Sequence, residues 1–276
     1  MAAQTGACYR GSRHFESFGL NLDQVRRTWD TLVELDPISA ILYDSTAPVR
    51  WTMDEFMASG TREIDSLIAF VRHLPLQLSC RRALDFGCGL GRLTQALGGH
   101  FDEVVGVDLS ESMVTRASHL NLLGDRCTYR VNDSPDLRAF ESGSFDLVHS
   151  TRTLQLLPGR YVRTYLREFV RLLDHGGVLV VQVPSHPVSA TVRARVLAER
   201  YGNRAAGLGR ALLGRPAWPL IETHGVGFND VYRLLAEDGV PPVAILPDRR
   251  GGRDWVSFRY VCQKGIEWRD PLAPPD

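Results

Sequence analysis

Between Asp23 and Leu42 the apolar residues Val25, Trp29, Leu32, Val33, Ile38, Ile41 and Leu42 return at helical spacing, which predicts a helix with one face turned to a core. Pro37 interrupts or restarts it, with Asp36 placed as a cap. A second helix fits 53–74, where Phe56, Met57, Ile64, Leu67, Ile68, Phe70 and Val71 leave a polar opposite face and Gly60 weakens the middle. After Arg81 the rhythm changes. Short apolar runs at 83–86, 103–109, 127–133, 144–150 and 177–184 alternate with helical stretches such as RLTQALGGHF and YVRTYLREFVRLL. Strands alternating with helices predict a parallel sheet covered on both faces, and GVLVVQV is apolar enough to be a central strand.

The segment 185–221 breaks that pattern with Gly, Pro and six arginines against Glu199 alone. It reads either as a solvated insertion or as a lid with a cationic face for an anionic substrate, an acidic carrier protein or a membrane surface. Gly202, Gly207 and Gly209 argue against one continuous amphipathic helix there. A helix at NDVYRLLAEDG follows, then strand-like runs at 242–248 and 255–264 around RRGGR, which predicts an antiparallel hairpin. The expected organisation is a tail and helical cap over 1–80, then an α/β domain over 81–276 with its basic insertion at about 185–221.

The run Asp85-Phe-Gly87-Cys88-Gly89-Leu-Gly91 joins the first strand to the first helix of the alternating block. Glycines there allow a tight turn and a close backbone approach to a ligand, and the helix start favours an anionic group. Asp108, ending the second strand, is placed to accept hydrogen bonds from both hydroxyls of a ribose. The dinucleotide fingerprint would need glycine where Arg92 stands, which disfavours a nicotinamide oxidoreductase.

ALDFGCGLGRLTQAL followed by VVGVDLSESMV resembles the first two motifs of class I S-adenosylmethionine-dependent methyltransferases, and WDTLVELDPISAIL…WTMDEFMASG upstream with IETHGV…LLAEDG downstream resembles the flanks of a bacterial small-molecule branch. VNDSPDL, SFDLVHSTRTLQLLP and LREFVRLLDHGGVLVVQVP match further motifs in the right order over roughly 81–184. The resemblance implies a doubly wound seven-stranded sheet of order 3-2-1-4-5-7-6 with the last strand antiparallel, and S-adenosylmethionine as cofactor. It puts the methionine end near Asp85, Gly87, Cys88 and Gly89, and the ribose on Asp108 with Leu109 or Met113 against adenine. It puts the adenine edge on Asp133 and Ser134, with Ser150 and Thr151 beneath the sulfonium. Many relatives carry a histidine after the fourth strand, whereas this chain has Gln155-Leu156, which speaks against a metal-dependent or histidine-based mechanism at that place. No metal site is expected.

Methyl transfer is an in-line displacement and chiefly a problem of positioning; a hydroxyl acceptor also needs a base. His224, just after the basic segment, is the first candidate for that base, with Tyr43 and Glu222 behind it. His149 lies inside a strand and reads more readily as a core residue, and Cys88 as packing in the loop. The expected reaction is O-methylation of a small molecule, anionic or carrier-bound. N- or C-methylation and a catalytically silent cofactor-binding relative are the alternatives.

Composition adds limits. Over 276 residues Lys+Arg and Asp+Glu are 32 each, which removes the usual basic footprint of a nucleic-acid binder. The zero is a cancellation, with −3 over 1–80 (7 basic, 10 acidic), 0 over 81–184 (12, 12) and +3 over 185–276 (13, 10). All the basic residues but Lys264 are arginine, as GC-rich coding also produces. Five cysteines without CxxC spacing, no apolar run of membrane-spanning length and no secretion signal favour a reducing, cytoplasmic setting.

Overall fold

The apolar runs become strands β1 (Arg82–Phe86), β2 (Glu103–Asp108), β3 (Cys127–Val131), β4 (Phe145–Ser150), β5 (Leu173–Pro187), β6 (Pro242–Pro247) and β7 (Trp255–Gln263). The computed structural model describes residues 20–35, 38, 41–42, 51–212 and 221–265, with the side chains of Leu35 and of 203–212 left out. The Asp36-Pro37 break and Tyr43 lie outside the described residues. The sheet runs β3-β2-β1-β4-β5-β7-β6, the expected order. The first five strands are parallel, and β7 is antiparallel to both of its neighbours.

Alternation along each strand sorts side chains to two faces. Leu84, Val105, Val148, Leu179 and Val181 meet Tyr165, Phe169, Val231 and Leu235 of α5 (Gly159–Leu172) and α7 (Phe228–Glu237). On the other face Ala83, Val104, Leu147, Val178 and Val261 meet α2 (Met53–His73) and α3 (Arg92–Leu97) through Ile64, Leu67, Ile68, Val71, Leu93 and Leu97. Helix α2 of the cap segment therefore packs as a layer on the sheet. A capping box starts it: Thr52 Oγ1 accepts from Glu55 N at 3.2 Å, and Glu55 Oε2 accepts from Thr52 N at 2.9 Å.

Helix α1 (Leu22–Leu35) lies across the end of the sheet and is tied to α4 (Glu111–His119). Ser110 Oγ donates to Asp30 at 2.6 Å, and Arg116 pairs with Glu34 at 3.0 Å. Two elements differ from expectation. Strand β5 continues past Pro184, because His186 and Pro187 pair with Val256 and Trp255 of β7 after a register shift. Within the insertion one helix, α6 (Ala190–Leu212), runs through all three glycines. It is anchored at Arg200, whose Nε lies 3.1 Å from Glu222 with both side chains about nine-tenths buried, and at Arg195, 2.5 Å from Asp254. These contacts hold the first part of a helix in which each interior glycine costs roughly 1 kcal/mol. No helix among the described residues is long and apolar enough to cross a membrane.

Candidate functional site at the strand ends

The glycine loop turns at the end of β1. Gly87, Gly89 and Gly91 have φ of 80°, 52° and 81°, a region that side chains other than glycine rarely occupy. A Cβ on Gly87 would stand 2.0 Å from Thr153 Oγ1, and one on Gly91 2.5 Å from the Tyr129 hydroxyl. The loop is pinned to β2, with Gly87 N and Cys88 N both donating to the Val107 carbonyl at 2.7 and 3.0 Å. Asp108 closes the same edge. Its Oδ2 accepts from Gly89 N at 2.9 Å and its Oδ1 from Ser110 N at 3.0 Å. Burial pushes the Asp108 carboxyl up, and the N–H groups of Ser110, Gly89 and Leu109 oppose that rise. Burial also pushes the Cys88 thiol well up, with Asp108 and Asp85 adding to it, so Cys88 stays protonated and packs.

Between this loop and the ends of β2 and β4 lies a cavity lined mainly by apolar side chains and glycine backbone with a few polar groups, the lining that small-molecule sites have. Gly87, Cys88, Gly89, Asp108, Leu109, Met113 and Thr151 line it together. Other sequence candidates lie off its wall. Asp85 is buried under the loop, accepting from Thr94 Oγ1 at 2.7 Å and facing His149 Nδ1 at 3.0 Å. Ser150 is buried and donates to the Phe86 carbonyl at 3.0 Å. Asp133 is exposed, and Ser134 bonds to Asp136. His224 is 5% exposed, donates its backbone N–H to Gln155 O at 2.7 Å, and turns its ring toward Arg200 and Glu222, 3.4 and 3.8 Å away.

The sequence did not single out several wall residues. Val25 and Trp29 come from α1, Asn132 from the turn after β3, Tyr165 from α5, and two arginines from α3 and the turn after β4. Asn132, one residue before Asp133, bonds through Nδ2 to Ser134 O at 2.9 Å. The Tyr165 hydroxyl donates to the same carbonyl at 2.6 Å. Apolar spacing gives which face of α1 is buried but not that this face covers a cavity.

The arginines belong to a charged network. Arg92, 4% exposed, reaches Glu63 of α2 at 3.0 Å and Ser59 at 3.2 Å. Glu63 also holds Arg250 at 2.8 Å, and Asp248 holds Arg250 and Arg259 at 2.9 and 2.6 Å. Burial works to raise the Glu63 and Asp248 carboxyls, but the arginines outweigh it and both end below their ordinary values. Arg152 stands against the same group on the cavity wall. Its φ is 59°, and its backbone N–H is held by Gln182 Oε1 at 2.9 Å. Its Nε is buried with no hydrogen-bond partner among the described residues. Among the described residues, no group of three or more His, Cys, Asp and Glu side chains is placed to hold a metal ion.

Residues 84–181 match a family model described as a methyltransferase domain. The chain is 32% identical over 188 residues to a trans-aconitate 2-methyltransferase of Deinococcus radiodurans, covering 63% of this chain and 67% of that protein. It is 33% identical over 125 residues to a ubiquinone biosynthesis O-methyltransferase of Xanthomonas oryzae, and spans only 52% of that protein's length. The fold is similar to magnesium protoporphyrin IX methyltransferase from Synechocystis, with a TM-score of 0.57 at 19% identity, covering 88% of this chain and 100% of that one. With the motif order, the sheet order and a relative matched over two thirds of its length in agreement, the chain belongs to the class I S-adenosylmethionine-dependent methyltransferases.

Proposed function

We propose that the cavity at the strand ends holds S-adenosylmethionine and that the protein uses it to O-methylate a small-molecule acceptor. The observation that carries this reading is the meeting of Gly87–Gly89 with Asp108 on one wall, joined by the Gly89 N–H on Asp108 Oδ2. Gly89 N donates to Asp108 Oδ2 and Ser110 N to Oδ1, and the lone pairs that remain on the two oxygens can accept from two ribose hydroxyls. Gly87 and Gly89 present bare backbone to the methionine end, and Leu109 and Met113 give apolar faces for adenine. Thr151 Oγ1, buried and without a partner among the described residues, offers a further polar contact on the wall. Asn132 takes the adenine edge in place of Asp133, since it is the one that reaches the cavity.

Bound there, the cofactor supplies a methyl group on a sulfonium that already carries its leaving group. The chain's own work is to orient and to exclude water. The loop and Asp108 fix one end of the site, while Val25 and Trp29 of α1 cover one side. His149 acts through Asp85, holding the carboxylate beneath the loop, and His224 serves the anchoring of α6 beside Arg200 and Glu222. The relative named for trans-aconitate supports a small-molecule acceptor, and the one named a ubiquinone biosynthesis O-methyltransferase supports oxygen as the atom methylated. Replacing Asp108 by Ala is expected to weaken adenosylmethionine binding at least tenfold in calorimetry. Unchanged affinity would remove the ribose assignment.

A further inference from the structure

In the charged network beside the cavity the arginines outnumber the carboxylates, and two of its members, Arg92 and Arg152, reach the cavity wall. Arg92, Arg152, Arg250 and Arg259 stand against only Glu63 and Asp248. Glu63 is taken by Arg92 and Arg250, and Asp248 by Arg250 and Arg259. Arg152 is the arginine left over, with a buried Nε that has no hydrogen-bond partner among the described residues. A buried donor of this kind costs free energy until something accepts from it. Its backbone is held in the left-handed region by Gln182, itself fixed by Ser257 Oγ at 2.6 Å, so the residue stands on a built support. Of the two wall arginines, Arg92 is already occupied by Glu63 and Ser59, which leaves Arg152 as the group offered to a ligand.

The same wall is poor in bases. Its titratable side chains are Cys88, Arg92, Asp108, Arg152 and Tyr165 among the described residues. Asp108 is engaged with the loop, Cys88 and Tyr165 are held protonated by burial, and arginine does not give up its proton. A hydroxyl or ammonium acceptor would have to lose a proton to a group that the described residues of the wall do not supply. A carboxylate acceptor needs none, and its paired oxygens fit a guanidinium fork.

Resting on the cofactor site proposed above, we infer that the acceptor carries a carboxylate, that Arg152 seats it, and that this carboxylate is the group methylated. One oxygen stays with Arg152 while the other forms the new bond to the methyl carbon. The carbon–sulfur bond breaks with its electron pair going to sulfur, so the carboxylate becomes a methyl ester and the sulfonium a neutral thioether. No proton, oxidant or further reactant is consumed.

The test uses the full chain with methyl-tritiated adenosylmethionine and a probe panel of short di- and tricarboxylates, cinnamate and medium-chain fatty acids, with the matching amides and alcohols. Mild alkali then releases volatile labelled methanol from a methyl ester but not from an ether or an amine. The expected result is alkali-labile label from at least one carboxylate and none from its amide. Arg152→Leu should lower kcat/KM for that carboxylate at least tenfold while the Kd for S-adenosylhomocysteine moves less than twofold, which also shows that the variant folds. Arg152→Lys should recover part of the loss. Alkali-stable label, or no transfer to any carboxylate by protein that binds S-adenosylhomocysteine, overturns the inference and leaves the cofactor site standing. If Arg152→Leu loses S-adenosylhomocysteine but keeps 5′-methylthioadenosine, Arg152 reads the cofactor's own carboxylate and the inference also falls. Failure of the unsubstituted protein to bind S-adenosylhomocysteine would instead sink the cofactor reading beneath it.

Discussion

At the scale of single residues, the signature of the loop separates into parts that touch the cavity and parts that hold the loop in place. Asp85 heads the motif, yet its carboxylate is shared between Thr94 and His149 beneath the turn. Gly87 is half-buried and lines the cavity, and two constraints act on it at once. Its φ of 80° strains any L side chain, and an added Cβ would lie 2.0 Å from Thr153 Oγ1. Gly87→Ala is therefore expected to cost about 2 kcal/mol in a denaturant midpoint, from strain and overpacking together, and to abolish cofactor binding in calorimetry. A variant of wild-type stability and affinity would refute that account. Motif spacing makes the glycines and Asp108 legible in the sequence, because close approach and hydroxyl recognition demand those residue types. It does not tell Ser150 from Thr151 or Asn132 from Asp133. Neighbouring residues at a strand end point to opposite sides, and only the structure shows which one meets the cavity.

At the scale of elements, periodicity was enough for most helices and strands, because one face of each is buried against a single layer. Glycine was where that reading failed, in two opposite ways. In α6 three glycines did not break the helix, since tertiary anchors at Arg195 and Arg200 hold its first part. In α2 Gly60 is not a weakness but a contact: it is buried, and a Cβ there would stand 2.5 Å from the Arg92 carbonyl oxygen and 2.6 Å from Arg92 Cγ. On an exposed helix Gly→Ala gains about 1 kcal/mol, whereas forcing a methyl against backbone costs about 1–3 kcal/mol. The clash wins, so Gly60→Ala should lower stability and, by displacing Arg92, weaken cofactor binding as well. A thermal melt that rises instead would show that α2 and α3 separate freely. Arg92 itself is visible in the sequence only as the residue that spoils a dinucleotide fingerprint. Its partners, Glu63 and Ser59, lie about thirty residues away along the chain.

At the scale of the whole molecule, the neutral total conceals a spatial pairing between the acidic first segment and the basic last one. Glu63 of α2 meets Arg250 at the start of the loop joining β6 to β7, and through it Asp248 and Arg259. Segment charges of −3 and +3 are readable from the sequence, but not that they meet at one buried place beside the cavity. The network makes stability depend on acid in a definite direction. Burial would raise Glu63 and Asp248, but the arginines hold them below their ordinary values of 4.5 and 3.8. The unfolded chain therefore takes up protons at higher pH than the folded one, so their stabilisation is full above those ordinary values and is lost as pH falls through the lowered ones. Glu63→Gln removes one of these groups and leaves Arg92 and Arg250 without their shared partner. At neutral pH it should cost about 3 kcal/mol, the size of a broken buried pair. Between about pH 6 and about pH 3 the urea midpoint of the variant should then fall less steeply than that of the unsubstituted protein, because one linked proton is gone. Parallel slopes would mean that Glu63 carries none of the acid sensitivity, and that the network beside the cavity is held by packing rather than by charge.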